Sequence, residues 1–162
     1  MKQNILIVSV SMALFCASAL AVVEKLSPID EAAAFKAAGF KLKGSHWQVC
    51  DDPTPTYEPG VIQEVRDING DGRPEVVITE GGTFCYGNTG AGYSLVSKQA
   101  NGGWKLLSSG IGMLNFLSSK GVKGWPDIEI GGPGFCFPVE RWNGHKYVLQ
   151  RHEYEGKACK PQ

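Results

Sequence analysis

The chain has 162 residues, 43% of them hydrophobic, with 16 basic residues against 16 acidic ones. That balance leaves no charged field for nucleic acid or for an anionic membrane surface. The length suits one domain with a core of its own once an N-terminal leader is set aside.

The leader comes first. Met1-Lys2-Gln3-Asn4 precedes an apolar run from Ile5 to Ala17, and Ala19-Leu20-Ala21 has the small-x-small form of a signal-peptidase site. Cleavage after Ala21 leaves 141 residues and removes only Lys2 among the charged ones. The run from Ile5 to Val23 approaches the roughly 20 residues of a membrane span, so an uncleaved anchor is the alternative. Ser9, Ser11 and Ser18 within it favour cleavage, and Phe15 before Cys16 argues against a lipoprotein. The expected address is periplasmic or secreted, with no membrane association after cleavage. Cys50, Cys85, Cys136 and Cys159 then form an even set in an oxidising compartment, which reads as two disulfides. Four cysteines allow three pairings. Cys50 with Cys85 and Cys136 with Cys159 is the preferred one, and the others stay open. No two of the four have the C-x2-4-C spacing of a zinc site.

Ser27, Pro28, Asp30 and Glu31 open a helix over Pro28 to Ala38, which Lys36 and Gly39 close. Ile29, Ala33 and Phe35 give it a small apolar face, suited to covering a sheet edge. Beyond Gly39 the segments are short, rich in Val, Ile, Tyr, Phe and Trp, and punctuated by glycine. The fold class is mainly β.

That body repeats internally. Gly60-Val61-Ile62-Gln63-Glu64-Val65 aligns with Gly112-Met113-Leu114-Asn115-Phe116-Leu117 at an offset of 52, and Gly72, Pro74, Glu75, Val76 and Ile78 fall over Gly124, Pro126, Asp127, Ile128 and Ile130. Gly82-Thr83-Phe84-Cys85-Tyr86 answers Pro133-Gly134-Phe135-Cys136-Phe137 after a one-residue slip. Each unit continues into a hairpin, Tyr93 to Gln99 returning through Trp104 to Leu107, and Phe137 to Trp142 returning through Tyr147 to Leu149. Asn101-Gly102 and Asn143-Gly144 are their turns. A shorter hairpin, Phe40 to Lys43 and Trp47 to Cys50, precedes both. Trp47, Trp104 and Tyr147 take equivalent places, expected to plug the space between stacked sheets. The organisation expected is a leader at 1–21, helix and first hairpin at 22–59, one blade-like repeat at 60–111, and a degenerate one with the tail at 112–162. Two blade-like repeats and a hairpin fall short of the roughly four blades of a closed propeller, so an incomplete propeller-like stack is expected.

Between the first two strands of the first unit runs Asp67-Ile68-Asn69-Gly70-Asp71-Gly72-Arg73-Pro74-Glu75. Oxygen-bearing side chains stand at positions 1, 3, 5 and 9, and the Arg73 carbonyl is available at position 7. The run resembles the calcium loop of the FG-GAP and VCBS repeat families, closely over residues 60 to 80 and weakly over the rest of 60 to 150. That resemblance implies Asp67, Asn69, Asp71 and Glu75 as side-chain ligands, Arg73 as a backbone ligand, and one calcium ion per chain. An EF-hand would need a carboxylate at position 12 with a helix after it, whereas position 12 is Ile78 within a strand. Glu75 departs from the aspartate commoner at position 9. The second unit answers Asp67, Asn69 and Asp71 with Ser119, Gly121 and Lys123 and keeps only Asp127. Lys123 is expected to pair with Asp127 in place of the metal.

No nucleophile motif, zinc-protease motif or nucleotide-binding glycine pattern occurs. The tracts Glu80-Gly81-Gly82-Thr83 and Gly131-Gly132-Pro133-Gly134 follow strands with no helix signalled after them, and read as tight turns. His46 and His145 belong to turns, and an extended strand separates His152 from its neighbouring carboxylates. The expected function is a non-enzymatic binding or interaction module, an inhibitor or immunity-type protein, whose partner is another protein or a cell-wall glycan. The alternative is a glycan hydrolase using carboxylates from among Asp51, Asp52, Glu80 and Glu129.

Overall fold

The computed structural model describes residues 25 to 161, so the leader and its cleavage site lie outside the described residues. Helix α1, Pro28–Ala37, starts where the Ser27 side chain accepts the Asp30 N–H at 3.1 Å. It ends in a Schellman arrangement, with Phe40 N–H donating to Phe35 carbonyl at 3.0 Å and Gly39 N–H to Lys36 carbonyl at 3.0 Å. Gly39 has φ 88° there. The helix buries Ala34 and Phe35, with Ala38 just beyond, while Ile29 is exposed. Its apolar face is therefore shifted from the expected one.

Two antiparallel sheets follow, each a meander in which consecutive strands are neighbours. The first contains β1 Lys41–Lys43, β2 His46–Gln48, β3 Glu58–Arg66, β4 Glu75–Gly81, β5 Ala91–Lys98 and β6 Trp104–Ile111. The second contains β7 Met113–Lys120, β8 Pro126–Gly131, β9 Phe137–Trp142, β10 Tyr147–Tyr154 and β11 Lys157–Ala158. The two sequence units thus fall in different sheets, β3 to β6 in one and β7 to β10 in the other. The glycine tract after β4 opens a four-residue helix, α2 Thr83–Tyr86, which the absence of a helix signal had not led us to expect.

Strand β4 shows why its sequence is apolar without alternation. Val76 and Ile78 join Val96 of β5 in a core with Phe35, while Val77 joins Leu95 in a second core with Trp125, Ile128, Trp142 and Tyr147. Successive side chains of a strand point to opposite faces, and here both faces are covered. Helix α1 therefore lies over the face of the first sheet, not its edge, because Val76, Ile78 and Val96 need cover on that side.

This placement divides the three aromatic residues expected to share one role. Trp47 stacks on Phe35 at 4.9 Å, and Trp104 donates its indole N–H to Asp30 at 3.1 Å, so both pack on the helix side. Tyr147 alone belongs to the core between the sheets, with its hydroxyl on the Pro126 carbonyl at 3.0 Å. Gly60 pairs with Trp47 across β2 and β3, and a Cβ there would overlap the Phe40 ring. Cys50 is bonded to Cys85 and Cys136 to Cys159, with Cα separations of 6.3 and 5.7 Å. Among the described residues no helix is long and apolar enough to cross a membrane.

Candidate metal centre

The loop from residue 67 to residue 75 joins β3 to β4, curling through Gly70 and Gly72 at φ 79° and 80°. Asp67 Oδ1 accepts the Gly70 N–H at 2.7 Å and the Asp71 N–H at 3.2 Å, and its Oδ2 accepts the Gly72 N–H at 2.8 Å. Asn69 Oδ1 accepts the Asp71 N–H at 2.8 Å. Asp71 Oδ1 accepts the Arg73 N–H at 2.9 Å, and its Oδ2 meets the Arg73 guanidinium at 2.5 Å and the Asn69 amide at 3.2 Å.

Glu75 opens β4 and is only 2% exposed. Its oxygens accept from Ile68 N–H at 3.0 Å and Ser97 Oγ–H at 2.8 Å, both neutral donors. Burial pushes its carboxyl up to about 7, the two hydrogen bonds pull back, and the charges of Asp71 and Asp67 push up again. Donors of these types, all oxygen and mostly anionic, fit a hard cation. As arranged, however, Asp67 and Asp71 are turned onto the loop's own N–H groups and Arg73. Among the described residues no three His, Cys, Asp or Glu side chains stand in a ready-made metal cluster.

The equivalent place in the second unit is built differently. Asp127 is 0% exposed and receives Arg141 through Nε and Nη2, each at 2.8 Å, Arg151 Nη1 at 2.8 Å and Ser119 Oγ at 2.6 Å. Arg151 reaches Ser119 at 3.2 Å and also pairs with Glu153. The Arg141 guanidinium holds the Asp127 carboxyl well below the usual carboxylate range, Ser119 and Arg151 add to this, and burial opposes it. The expected Lys123 to Asp127 pair is absent. Lys123 is exposed in a tight turn at φ 56°, and the fork of Arg141 from β9, with one nitrogen of Arg151 from β10, occupies the carboxylate instead.

The strand ladder explains the exchange. Glu75 lies opposite Ser97 between β4 and β5. Ile128 lies opposite Glu140 between β8 and β9, so one antiparallel step further Asp127 faces Arg141. Ser97 and Arg141 thus hold the same place, one neutral and one cationic.

A third buried carboxylate lies at the far end of β4. Glu80, 3% exposed, accepts from Val49 N–H at 2.9 Å, Cys50 N–H at 3.3 Å, and the hydroxyls of Tyr57 and Tyr86. Burial first, and then Glu80 itself, pushes both tyrosines above their ordinary range. Asp52 stands near, its Oδ1 on Thr54 N–H at 2.7 Å and its buried Oδ2 without a hydrogen-bond partner. Asp51 is exposed and pairs with Lys43, and Glu129 lies on β8 of the other sheet. Tyr57→Phe and Tyr86→Phe are each expected to lower stability by about 1.5–3 kcal/mol, the range of a hydrogen bond to a charged group, as measured by urea unfolding.

No known protein family, curated protein or solved structure matches this chain significantly.

Proposed function

We propose that this is an exported calcium-binding β-protein in which one cation orders the loop from Asp67 to Glu75, with Asp67, Asn69, Asp71 and Glu75 as side-chain donors and the Arg73 carbonyl as a further one. The observation that carries the reading is the charge difference between the two units. The second unit balances one buried carboxylate with two arginines. In the first unit three carboxylates share a loop, Glu75 has only neutral donors, and Arg73 is the one cation in contact with them among the described residues. A bound dication supplies the missing positive charge. The two meanders are read as blade-like units of an incomplete propeller-like stack. Two disulfides fit an oxidising compartment, periplasmic or extracellular.

In this reading the rigid scaffold presents loops to a partner, a protein or a cell-wall glycan, and not to nucleic acid. Phe84 and Phe135 support it: each stands exposed just before a disulfide cysteine, Phe84 in helix α2 after β4 and Phe135 in the turn after β8. The hydrolase alternative has weaker support, since both oxygens of buried Glu80 are taken by protein donors.

The test is thermal unfolding of the oxidised protein in chelator, in calcium and in magnesium. An ion at a hundredfold excess over its Kd stabilises a native state by about 2.7 kcal/mol, so the midpoint should climb with calcium. Asp71→Ala should abolish the rise, and Ser119→Ala should leave it intact. An unchanged midpoint at millimolar calcium overturns the proposal.

A further inference from the structure

We propose that Arg73 is a built-in competitor for the cation, its guanidinium holding Asp71 until an arriving ion displaces it. This rests on the calcium reading of the loop. Arg73 occupies the position whose carbonyl is the backbone donor, yet its side chain turns back onto Asp71, and its Nε donates to the Lys98 carbonyl at 3.1 Å. Asp71 therefore has Oδ2 on the guanidinium and Oδ1 on the Arg73 N–H. Neither Asp67 nor Glu75 has a cationic partner among the described residues.

The sister unit shows the same device in permanent form. There the guanidiniums come from β9 and β10 and meet a carboxylate that is fully buried. At the loop, by contrast, the Arg73 and Asp71 side chains are 39% and 32% exposed. An ion pair with that much contact with water is weak, so a dication can replace it. The exchange needs no large rearrangement, because the Lys98 carbonyl at the end of β5 can keep hold of the guanidinium as Asp71 turns away. Contact of Asp71 with Arg73 and contact with the ion exclude one another, so the population of the first state lowers the apparent affinity of the second.

Calorimetric titration of the oxidised wild type, Arg73→Gln and Arg73→Lys with calcium tests this, alongside thermal unfolding in chelator and in saturating calcium. Removing the competitor should tighten calcium binding about three- to tenfold in Arg73→Gln, combining loss of the pair with one more net negative charge at the loop. Arg73→Lys, which keeps the charge without the fork, should fall between. Arg73→Gln should also melt lower than wild type in chelator, with the gap closing in calcium, whereas a purely structural arginine would lower both midpoints alike. Wild type that binds calcium, with Arg73→Gln binding equally or more weakly, overturns the competitor role and leaves the calcium reading standing. No binding by either protein removes both.

Discussion

Asp127→Asn is expected to destabilise the protein by about 2–4 kcal/mol, somewhat below the usual 3–5 kcal/mol for breaking a buried pair because both arginines retain contact with water. The asparagine fills the same space but cannot neutralise Arg141 and Arg151. Its amide also turns one acceptor into a donor against Ser119 or a guanidinium. The effect has a definite pH dependence. The folded protein holds Asp127 well below the ordinary carboxylate range, so its contribution is complete above the unfolded value of about 4 and is lost as pH falls through and below it. Urea unfolding at pH 7 and at intervals down to pH 3 should therefore show wild type losing its advantage over Asp127→Asn in the acid. Parallel losses in both proteins would mean that other carboxylates govern acid unfolding. Lys123→Ala should leave stability almost unchanged, since Lys123 is exposed and outside the network.

How far the sequence leads depends on the distance over which each signal acts. Ser27, Pro28 and Gly39 mark a helix through contacts within one turn, and the observed caps use Ser27 and Gly39 as expected. The Asn-Gly turns at 101–102 and 143–144 are similarly local, and strands flank both. Proximity along the chain misled where register decides. Lys123 is four residues from Asp127, but Arg141 is the residue across the ladder, and that relation needs strand pairing that spacing does not contain. Trp47 and Trp104 look equivalent to Tyr147 from turn position alone. Helix α1, packed from outside the repeat, assigns those two a different face. Glu80 shows a third limit, because half its donors are backbone N–H groups at Val49 and Cys50, which carry no residue-type signal. The loop itself is legible residue by residue. The turning of Asp71 towards Arg73 is not, since position 7 attracts notice only for its carbonyl.

Replacing Cys50 and Cys85 with alanine is expected to cost about 3–4 kcal/mol, chiefly through chain entropy and in part through Glu80. The two disulfides close loops with sequence separations of 35 and 23, and loop entropy grows so slowly with length that this term differs little between them. Their surroundings differ more. Cys136–Cys159 ties down the two-residue edge strand β11, where the chain can fray with little loss of strand pairing. Cys50–Cys85 fastens the segment after β2, a strand that pairs with β3 through Trp47 and Gly60 alone. If that segment lifts, Glu80 loses the N–H groups of Val49 and Cys50. A buried carboxylate stripped of donors is costly, so opening should be coupled to the rest of the fold. Removing Cys136 and Cys159 should accordingly cost less, about 1–2 kcal/mol, because a frayed native tail recovers part of the lost entropy difference. A double-mutant cycle with Glu80→Gln distinguishes this from entropy alone. If the disulfide acts through Glu80, the two changes together should cost about 1 kcal/mol less than their sum. Simple additivity would assign the disulfide's whole effect to the unfolded chain.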